Sequence, residues 1–105
     1  MKLILAIVHR EDSSRLTEAL TKNKINVTKL ASTGGFLRSG NVTFMIGTDD
    51  EHIDEVMDII REKCKSRKEL TAPTAMYMGA AGWPVEVVVG GATVFVMDVD
   101  RFEKI

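Results

Sequence analysis

The sequence has one cysteine, Cys64, and no long hydrophobic run, and both absences restrict what the protein can be. A single cysteine cannot form an internal disulfide, which favours a cytoplasmic protein. No apolar stretch approaches the roughly 20 residues of a membrane-spanning helix, so we expect no membrane insertion. The apolar stretch 3–8 is short, and residues 9–12 after it do not resemble a cleavage segment. It therefore predicts a first strand and not a signal peptide.

The sequence also has little excess charge and few groups arranged for chemistry. Lys and Arg total 14 and Asp and Glu total 15, so the formal net charge is -1 and no basic field for general nucleic-acid binding exists. His9 and His52 are not spaced with cysteine or aspartate as metal ligands are. No nucleophile, base and orienting group occur at a recognisable spacing, and no Walker-type or Rossmann-type glycine pattern appears. We therefore predict no catalytic residues, no metal site and no cofactor.

What is present is the composition of a globular protein. Hydrophobic residues make up 45% and charged residues 28% of the chain, which predicts one domain over residues 1–105. Apolar runs and alternating patterns predict strands at 2–8, about 25–33, 42–47, 85–89 and 93–99. The pair Gly90-Gly91 predicts a bend between the last two strands. Residues 67–84 contain both prolines and are interpreted as a loop.

Two amphipathic helices are predicted between the strands. Asp12 or Ser13 is expected to cap the first helix, which should end near Asn23. Residues 48–51 have the spacing of a capping box and should begin the second helix. The apolar stripes are Leu16, Ala19 and Leu20 in the first helix, and Ile53, Val56, Met57, Ile60 and Cys64 in the second. Because it lies on this stripe, Cys64 is predicted to be a buried thiol and not a nucleophile.

With residues 85–99 counted as one strand that bends at Gly90-Gly91, the resulting order is β-α-β-β-α-β. This is the ferredoxin-like arrangement of the α+β class, an antiparallel sheet with two helices on one face. Apolar residues occupy both alternating positions of the predicted strands. The sheet face opposite the helices should therefore also be apolar. Because such a face on a small domain requires a partner, we predict a homo-oligomer.

The connection between the second and third strands carries the most specific pattern in the sequence. From Thr28 to Asn41 it reads TKLASTGGFLRSGN, with two adjacent glycines, Phe36 and Arg38. Backbone amides beside glycine, a ring that can stack on a base and a fixed cation suit a nucleotide-like anion. Taken singly, the glycines fit an ordinary turn and Arg38 fits a solvated charge. Only the joint spacing favours a binding site.

Three stretches resemble a known family. They are MKLILAIVHREDSSRL, TKLASTGGFLRSGNVTFMIG and VEVVVGGATVFVMDVDRF, and they are similar to the PII-like proteins that bind cyclic di-AMP. The resemblance covers nearly the whole chain and is weakest over residues 67–84. It implies a PII-like, ferredoxin-like homotrimer with nucleotide sites between neighbouring subunits. It also implies a signal receiver without catalysis.

The resemblance implies a set of ligand-binding residues as well. Thr28 would hydrogen-bond the ligand, residues 35–37 would line the adenine pocket, and Asn41 would make a polar contact at the loop exit. Gly47 would allow close approach of the ligand, and Phe95 would supply an apolar wall from the neighbouring subunit. The full set is Asn26, Thr28, Gly35, Phe36, Leu37, Arg38, Asn41, Gly47 and Phe95.

Four positions depart from the family pattern. Lys24 stands where asparagine is usual, Asn26 where arginine is usual, Asp98 where proline is usual, and Lys104 where a glutamine contacts the ligand. Losing the arginine removes a guanidinium that can bind phosphate bidentately. The cations that could compensate are Lys24, Lys29 and Arg38.

We therefore predict a cytoplasmic signal-transduction protein that binds cyclic di-AMP at trimer interfaces. Ligand would order residues 34–40, together with residues 67–84 of the adjacent subunit, and so control an unidentified target protein. Two alternatives remain open: a PII-type sensor of ATP or another adenine nucleotide, and a ferredoxin-like metal-tolerance protein. Against the first, the chain lacks the long tyrosine-bearing loop of nitrogen-regulatory PII proteins. Against the second, it has a single cysteine and scattered histidines.

Overall fold

A computed structural model describes residues 1–30, 40–71 and 85–105, which form two α-helices and six strands. A single 3-10 turn, Asp50–His52, lies before the second helix. The remaining elements are β1 (Lys2–His9), α1 (Arg10–Lys22), β2 (Thr28–Leu30), β3 (Asn41–Thr48), α2 (Ile53–Cys64), β4 (Arg67–Thr71), β5 (Val85–Val89) and β6 (Ala92–Asp98).

Within the described residues, four strands form one antiparallel sheet in the order β2-β3-β1-β6. Together with α1 and α2, these strands give the predicted β-α-β-β-α-β order, so the ferredoxin-like prediction is confirmed. The strands β4 and β5 pair with each other in a separate two-stranded sheet, which the chain inserts between α2 and β6. The sequence did not predict this insertion.

The core lies between the two helices and one face of the four-stranded sheet. Alternate residues of β1, namely Ile4, Ala6 and Val8, point to this face and are buried. The residues that pack around them are Leu16, Leu20, Phe44, Ile46, Val56, Ile59, Ile60 and Cys64. Each of the larger side chains contributes about 1.5–3 kcal/mol of burial free energy.

The Cys64 thiol lies in this core, as its place on the helical stripe predicts. Burial is the main cause that raises the pKa of the thiol, and the nearby Asp12 carboxylate raises it further, to about 11. At neutral pH the group is therefore a protonated, apolar side chain. This agrees with a packing role for Cys64.

The opposite side of the sheet, here called the open face, is apolar too. Across its middle run Met45 of β3, Leu5 of β1 and Phe95 of β6, each directly opposite the next in the strand register. Phe95 is 53% exposed, and Met97 beside it is also exposed. An apolar second face is therefore present in the described part of the chain, as the alternating pattern predicts.

The predicted N-terminal caps of both helices are wrong. The first helix begins at Arg10 with His9 as its N-cap, and no side chain caps it. Asp12 and Ser13 instead lie inside the helix and are buried. In the segment 48–51 no capping box forms, because Asp50 to His52 make a 3-10 turn and α2 begins only at Ile53.

Three further predictions need correction. The second strand begins at Thr28 and not near residue 25, because the Ile25 amide still bonds to the Leu20 carbonyl at the end of α1. Its predicted end, residues 31–33, lies outside the described residues. The predicted loop 67–84 is wrong over Arg67–Thr71, which is β4, while residues 72–84 are outside the described part. The last strand spans Ala92–Asp98, one residue earlier than predicted.

Candidate functional site

Five of the nine predicted ligand-binding residues lie in the described part of the chain. The predictions for Gly35, Phe36, Leu37 and Arg38 concern residues outside it. The five described residues are Asn26, Thr28, Asn41, Gly47 and Phe95. Their positions on the sheet determine which of them could contact the same ligand.

The strand register places four of these residues on the open face. Thr28 is directly opposite Met45, and Asn41 and Gly47 occupy alternate positions of β3 on the same side as Met45. Phe95 reaches this face from β6, where it lies opposite Leu5. The predicted residues therefore share the sheet face that the helices leave uncovered.

Within one chain, however, Thr28 and Phe95 are not neighbours. They lie on the two edge strands of the sheet, with Met45 and Leu5 between them. Three strand spacings separate the edges, which amounts to about 14 Å. One chain thus does not bring these two side chains into contact.

Asn26 and Gly47 do come together, in a cavity of about 520 Å³ beside the start of β2. This cavity, the Asn26 pocket, lies where the end of β3 meets the chain that leaves α1. A β-carbon at Gly47 would lie 3.5 Å from the Met1 Cε atom, which is an ordinary contact. The pocket is lined by Met1, Asn23, Lys24, Ile25, Asn26, Gly47, Thr48, Asp49, His52 and Glu55.

The Asn26 pocket contains charges of both signs. Lys24, His52 and the amino group of Met1 supply basic groups, and Asp49 and Glu55 supply acidic ones. The Met1 amine already lies 3.6 Å from the Asp50 carboxylate. Sequence patterns did not identify the residues from the 3-10 turn and α2. The pairing of β1 with the end of β3 brings the amino terminus here, and local patterns do not reveal that pairing.

Asn41 lies in a second cavity at the other end of β3, with a volume of about 250 Å³. His9, Gly91 and Thr93 contribute to its walls. Six residues of strand separate Asn41 from Gly47, a distance of about 20 Å. The structure therefore places Asn41 and Gly47 at opposite ends of β3, in different cavities.

Two of the three cations proposed to compensate for Asn26 lie in the described part of the chain, and they lie in different places. Lys24 lines the Asn26 pocket. Lys29 lies opposite Phe44 on the helix-facing side of the sheet, with its Nζ atom 5.8 Å from the centre of the Phe44 ring. That geometry suits a cation–π contact and turns Lys29 away from the open face. Arg38 is outside the described residues.

Asp98, one of the four departures from the family pattern, pairs with Lys2, and a further cavity lies away from the predicted site residues. Asp98 accepts a hydrogen bond from Lys2, and this bond lowers the pKa of the Asp98 carboxyl. A cavity of about 750 Å³ between α2 and β6 contains none of the predicted site residues. Its lining includes Met57, Cys64 and Val94.

Residues 1–30, 40–71 and 85–105 provide neither a candidate metal cluster nor a candidate membrane-spanning helix. They contain no group of three or more His, Cys, Asp or Glu side chains that could hold a metal ion. Neither helix among them is long and apolar enough to cross a membrane.

Comparison with known proteins identifies the class to which this fold and site belong. Residues 1–105 match the model of the cyclic-di-AMP receptor family. The chain therefore belongs to that family of signal-transduction receptors, as the sequence motifs predict.

A solved structure supports the fold. The crystal structure of a functionally unknown protein from Pediococcus pentosaceus ATCC 25745 is 42% identical in sequence. The match covers 99% of this chain and 96% of that one, with a TM-score of 0.81. This similarity agrees with the ferredoxin-like architecture.

Proposed function

We propose that this protein binds cyclic di-AMP at the subunit interfaces of a homotrimer and controls a target protein through a change in loop conformation. The observation that carries the proposal is the family match over residues 1–105. The ligand is a small dinucleotide with two adenines and two phosphodiester charges. Binding breaks no bond, and the response is a shift between conformations of the protein.

The positions of the candidate residues support a site shared between copies. Thr28 and Phe95 lie on opposite edges of the same sheet face. In a closed ring, the β2 edge of one copy would face the β6 edge of the next, so that different edges meet at each interface. Such a ring would bring Thr28 beside Phe95 of a neighbouring copy and would cover apolar surface of the open face.

The proposed signal depends on residues 34–40. Residues 35–37 would contact adenine, and ordering of this segment would change the surface presented to a target. Hydrogen exchange tests this part by itself: bound cyclic di-AMP should increase protection of the amides in 34–40. Unchanged protection of these amides in a saturated complex would refute switching while leaving binding intact.

Isothermal titration calorimetry of the purified full chain tests binding. Cyclic di-AMP should give saturable heat at one ligand per subunit, and ATP and cyclic di-GMP should give none at the same concentrations. Ligand at about a hundred times its dissociation constant should stabilise the fold by about 2.7 kcal/mol. Absence of both heat and thermal stabilisation with cyclic di-AMP would overturn the proposed function.

A variant pair locates the site. Thr28→Val keeps a β-branched side chain on β2 but removes the hydroxyl group, so affinity should fall about tenfold. The control is Thr21→Ala, an exposed hydroxyl on α1 that lines neither the Asn26 pocket nor the Asn41 cavity. Its affinity should equal that of the wild type. Equal affinities for both variants would exclude Thr28 from the site.

A further inference from the structure

The end of α1 holds a lysine in a conformation that usually belongs to glycine. Lys24 has φ of 61°, in the left-handed region, and it is the non-glycine residue found there among the described residues. The Lys24 amide donates to the Thr21 carbonyl at 2.9 Å, and the Ile25 amide donates to the Leu20 carbonyl at 2.9 Å. These two bonds define a Schellman motif with Lys24 at the position just beyond the helix.

A lysine at this position costs stability, because its β-carbon crowds a backbone carbonyl in the left-handed conformation. Glycine has no such atom and is the common residue here. Core packing also holds the motif in place, because Ile25 packs against the core that contains Leu20. The chain therefore cannot relieve the strain at Lys24 by changing the course of its backbone. Strain kept at a single residue points to a use for its side chain.

The surroundings of Lys24 indicate what that use is. Its side chain lines the Asn26 pocket with Asn26 and Gly47. Among the described residues it forms no ion pair with a carboxylate, whereas the Met1 amine in the same pocket lies beside Asp50. Lys29 lies on the helix-facing side and cannot replace it. Lys24 is thus a cation without an ion pair among the described residues, in a pocket that Asp49 and Glu55 also line.

We infer that Lys24 binds a phosphodiester of the ligand, and that the chain keeps a strained lysine at this helix end for the sake of its charge. The inference rests on the proposed function, which supplies the anionic dinucleotide. An ammonium on a flexible stem binds phosphate as a point charge. Affinity should therefore depend on ionic strength, and the part due to Lys24 should disappear with its charge.

Replacing Lys24 by glycine tests both halves of the inference, because stability and affinity should change in opposite directions. Lys24→Gly relieves the left-handed strain, so its melting temperature should rise by a few degrees. The same variant loses the ammonium, so its affinity for cyclic di-AMP should fall about tenfold at low salt. The fall should be smaller at about 0.15 M than at about 0.01 M ionic strength.

Three further variants make the test specific. Lys24→Gln removes the charge but keeps the strain, so affinity should fall without a rise in melting temperature. Lys24→Arg keeps the charge, so affinity should stay near that of the wild type. Lys29→Gln removes a lysine on the other side of the sheet and should leave affinity and its salt dependence unchanged.

The outcomes separate the inference from the proposed function. If the wild type gives no heat with cyclic di-AMP, the proposed function fails and the inference fails with it. If the wild type binds and both Lys24→Gly and Lys24→Gln bind equally well, the inference alone is overturned. A Lys24→Gly protein that melts no higher than the wild type would refute the strain argument.

Discussion

Asp12 is an acidic side chain that the fold buries completely, with 0% exposure. Its Oδ1 atom accepts hydrogen bonds from Arg15 at 2.7 Å and from Arg67 at 3.1 Å. Its Oδ2 atom is buried without a partner among the described residues. Burial alone raises the pKa of Asp12, but the bonds from Arg67 and Arg15 outweigh it and hold the pKa below its ordinary 3.8. The ionised carboxylate therefore joins α1 to the first residue of β4.

Removing this charge should destabilise the protein. Asp12→Asn weakens both arginine contacts and leaves a buried amide poorly paired, which should cost about 2 kcal/mol in unfolding free energy. Urea unfolding followed by circular dichroism measures it. The control is Asp58→Asn, which breaks an exposed ion pair with Arg61. That pair has the three-residue spacing of the Asp12–Arg15 pair and a distance of 3.0 Å. The cost of this control should stay within about 0.5 kcal/mol, and equal losses would show that Asp12 contributes no more than a surface pair.

The stabilisation by Asp12 should depend on pH with a definite sign. Because the pKa of this carboxyl is lower in the folded chain than its ordinary 3.8, its contribution is complete above that value and is lost as the pH falls through the folded pKa. The wild type should therefore exceed Asp12→Asn by a constant amount down to about pH 5, and by less below about pH 3.8. Thermal unfolding of both proteins across pH measures the difference. A difference that stays constant to the lowest pH would contradict the assignment.

At the scale of elements, the β4–β5 hairpin is joined to β6 through Gly90 and Gly91. Both have left-handed backbones, with φ of 82° and 87°. A β-carbon at Gly90 would lie 2.7 Å from the Lys65 carbonyl oxygen and 2.8 Å from Arg67 Nη1. At Gly91 the nearest atom would be the Ser66 β-carbon, at 3.8 Å. Only the first glycine is therefore required by close packing as well as by backbone conformation.

Alanine substitutions at these two glycines should separate strain from clash. Gly91→Ala should cost about 1 kcal/mol, the price of a left-handed alanine. Gly90→Ala adds contact with a backbone oxygen that cannot move aside cheaply, so it should cost at least about 1 kcal/mol more. Denaturant unfolding of the two variants gives the comparison. If Gly90→Ala is no worse than Gly91→Ala, the hairpin base must be free to shift.

The sequence could predict the elements whose patterns are local. The apolar run of β1, the alternation in β3 and the apolar stripes of the helices were sufficient to recognise the ferredoxin-like order. The strand β4 was missed because Arg67, Lys68 and Glu69 show no apolar alternation and pair with residues about twenty positions later. The cap assigned to Asp12 was wrong because that carboxylate serves a contact with Arg67, which local spacing does not reveal.

The candidate site was predictable in a different way. Its residues came from a motif match and not from chemistry visible in single positions. Strand alternation is enough to put Thr28 and Lys29 on opposite faces, as the structure has them. The left-handed backbone at Lys24 gave no signal, because glycine and asparagine, not lysine, mark such positions. The joining of Asn26 and Gly47 in one pocket depends on strand pairing between distant segments.

At the scale of the whole molecule, the open face is an apolar surface that the described part of a single chain leaves uncovered. Its apolar side chains come from all four strands of the sheet, and they include Leu5, Leu30, Met45, Phe95 and Met97. Burial of such a surface is favourable at about 25 cal/mol per Å². The proposed trimer would bury part of it and would complete the ligand site at the same interfaces. Assembly and ligand affinity should therefore respond together to a change on this face.

Phe95→Glu should weaken both assembly and binding, because it places a charge where the proposed interface is apolar. Light scattering after size exclusion should give the wild type three times the 11.6 kDa of one chain, and the variant a smaller mass at the same concentration. The control is Val88→Glu, an exposed apolar residue of the β4–β5 hairpin with 64% exposure. It should keep the wild-type mass and its affinity for cyclic di-AMP. A wild type with the mass of one chain would refute the trimer, and a Phe95→Glu protein that still assembles and binds would remove β6 from the interface.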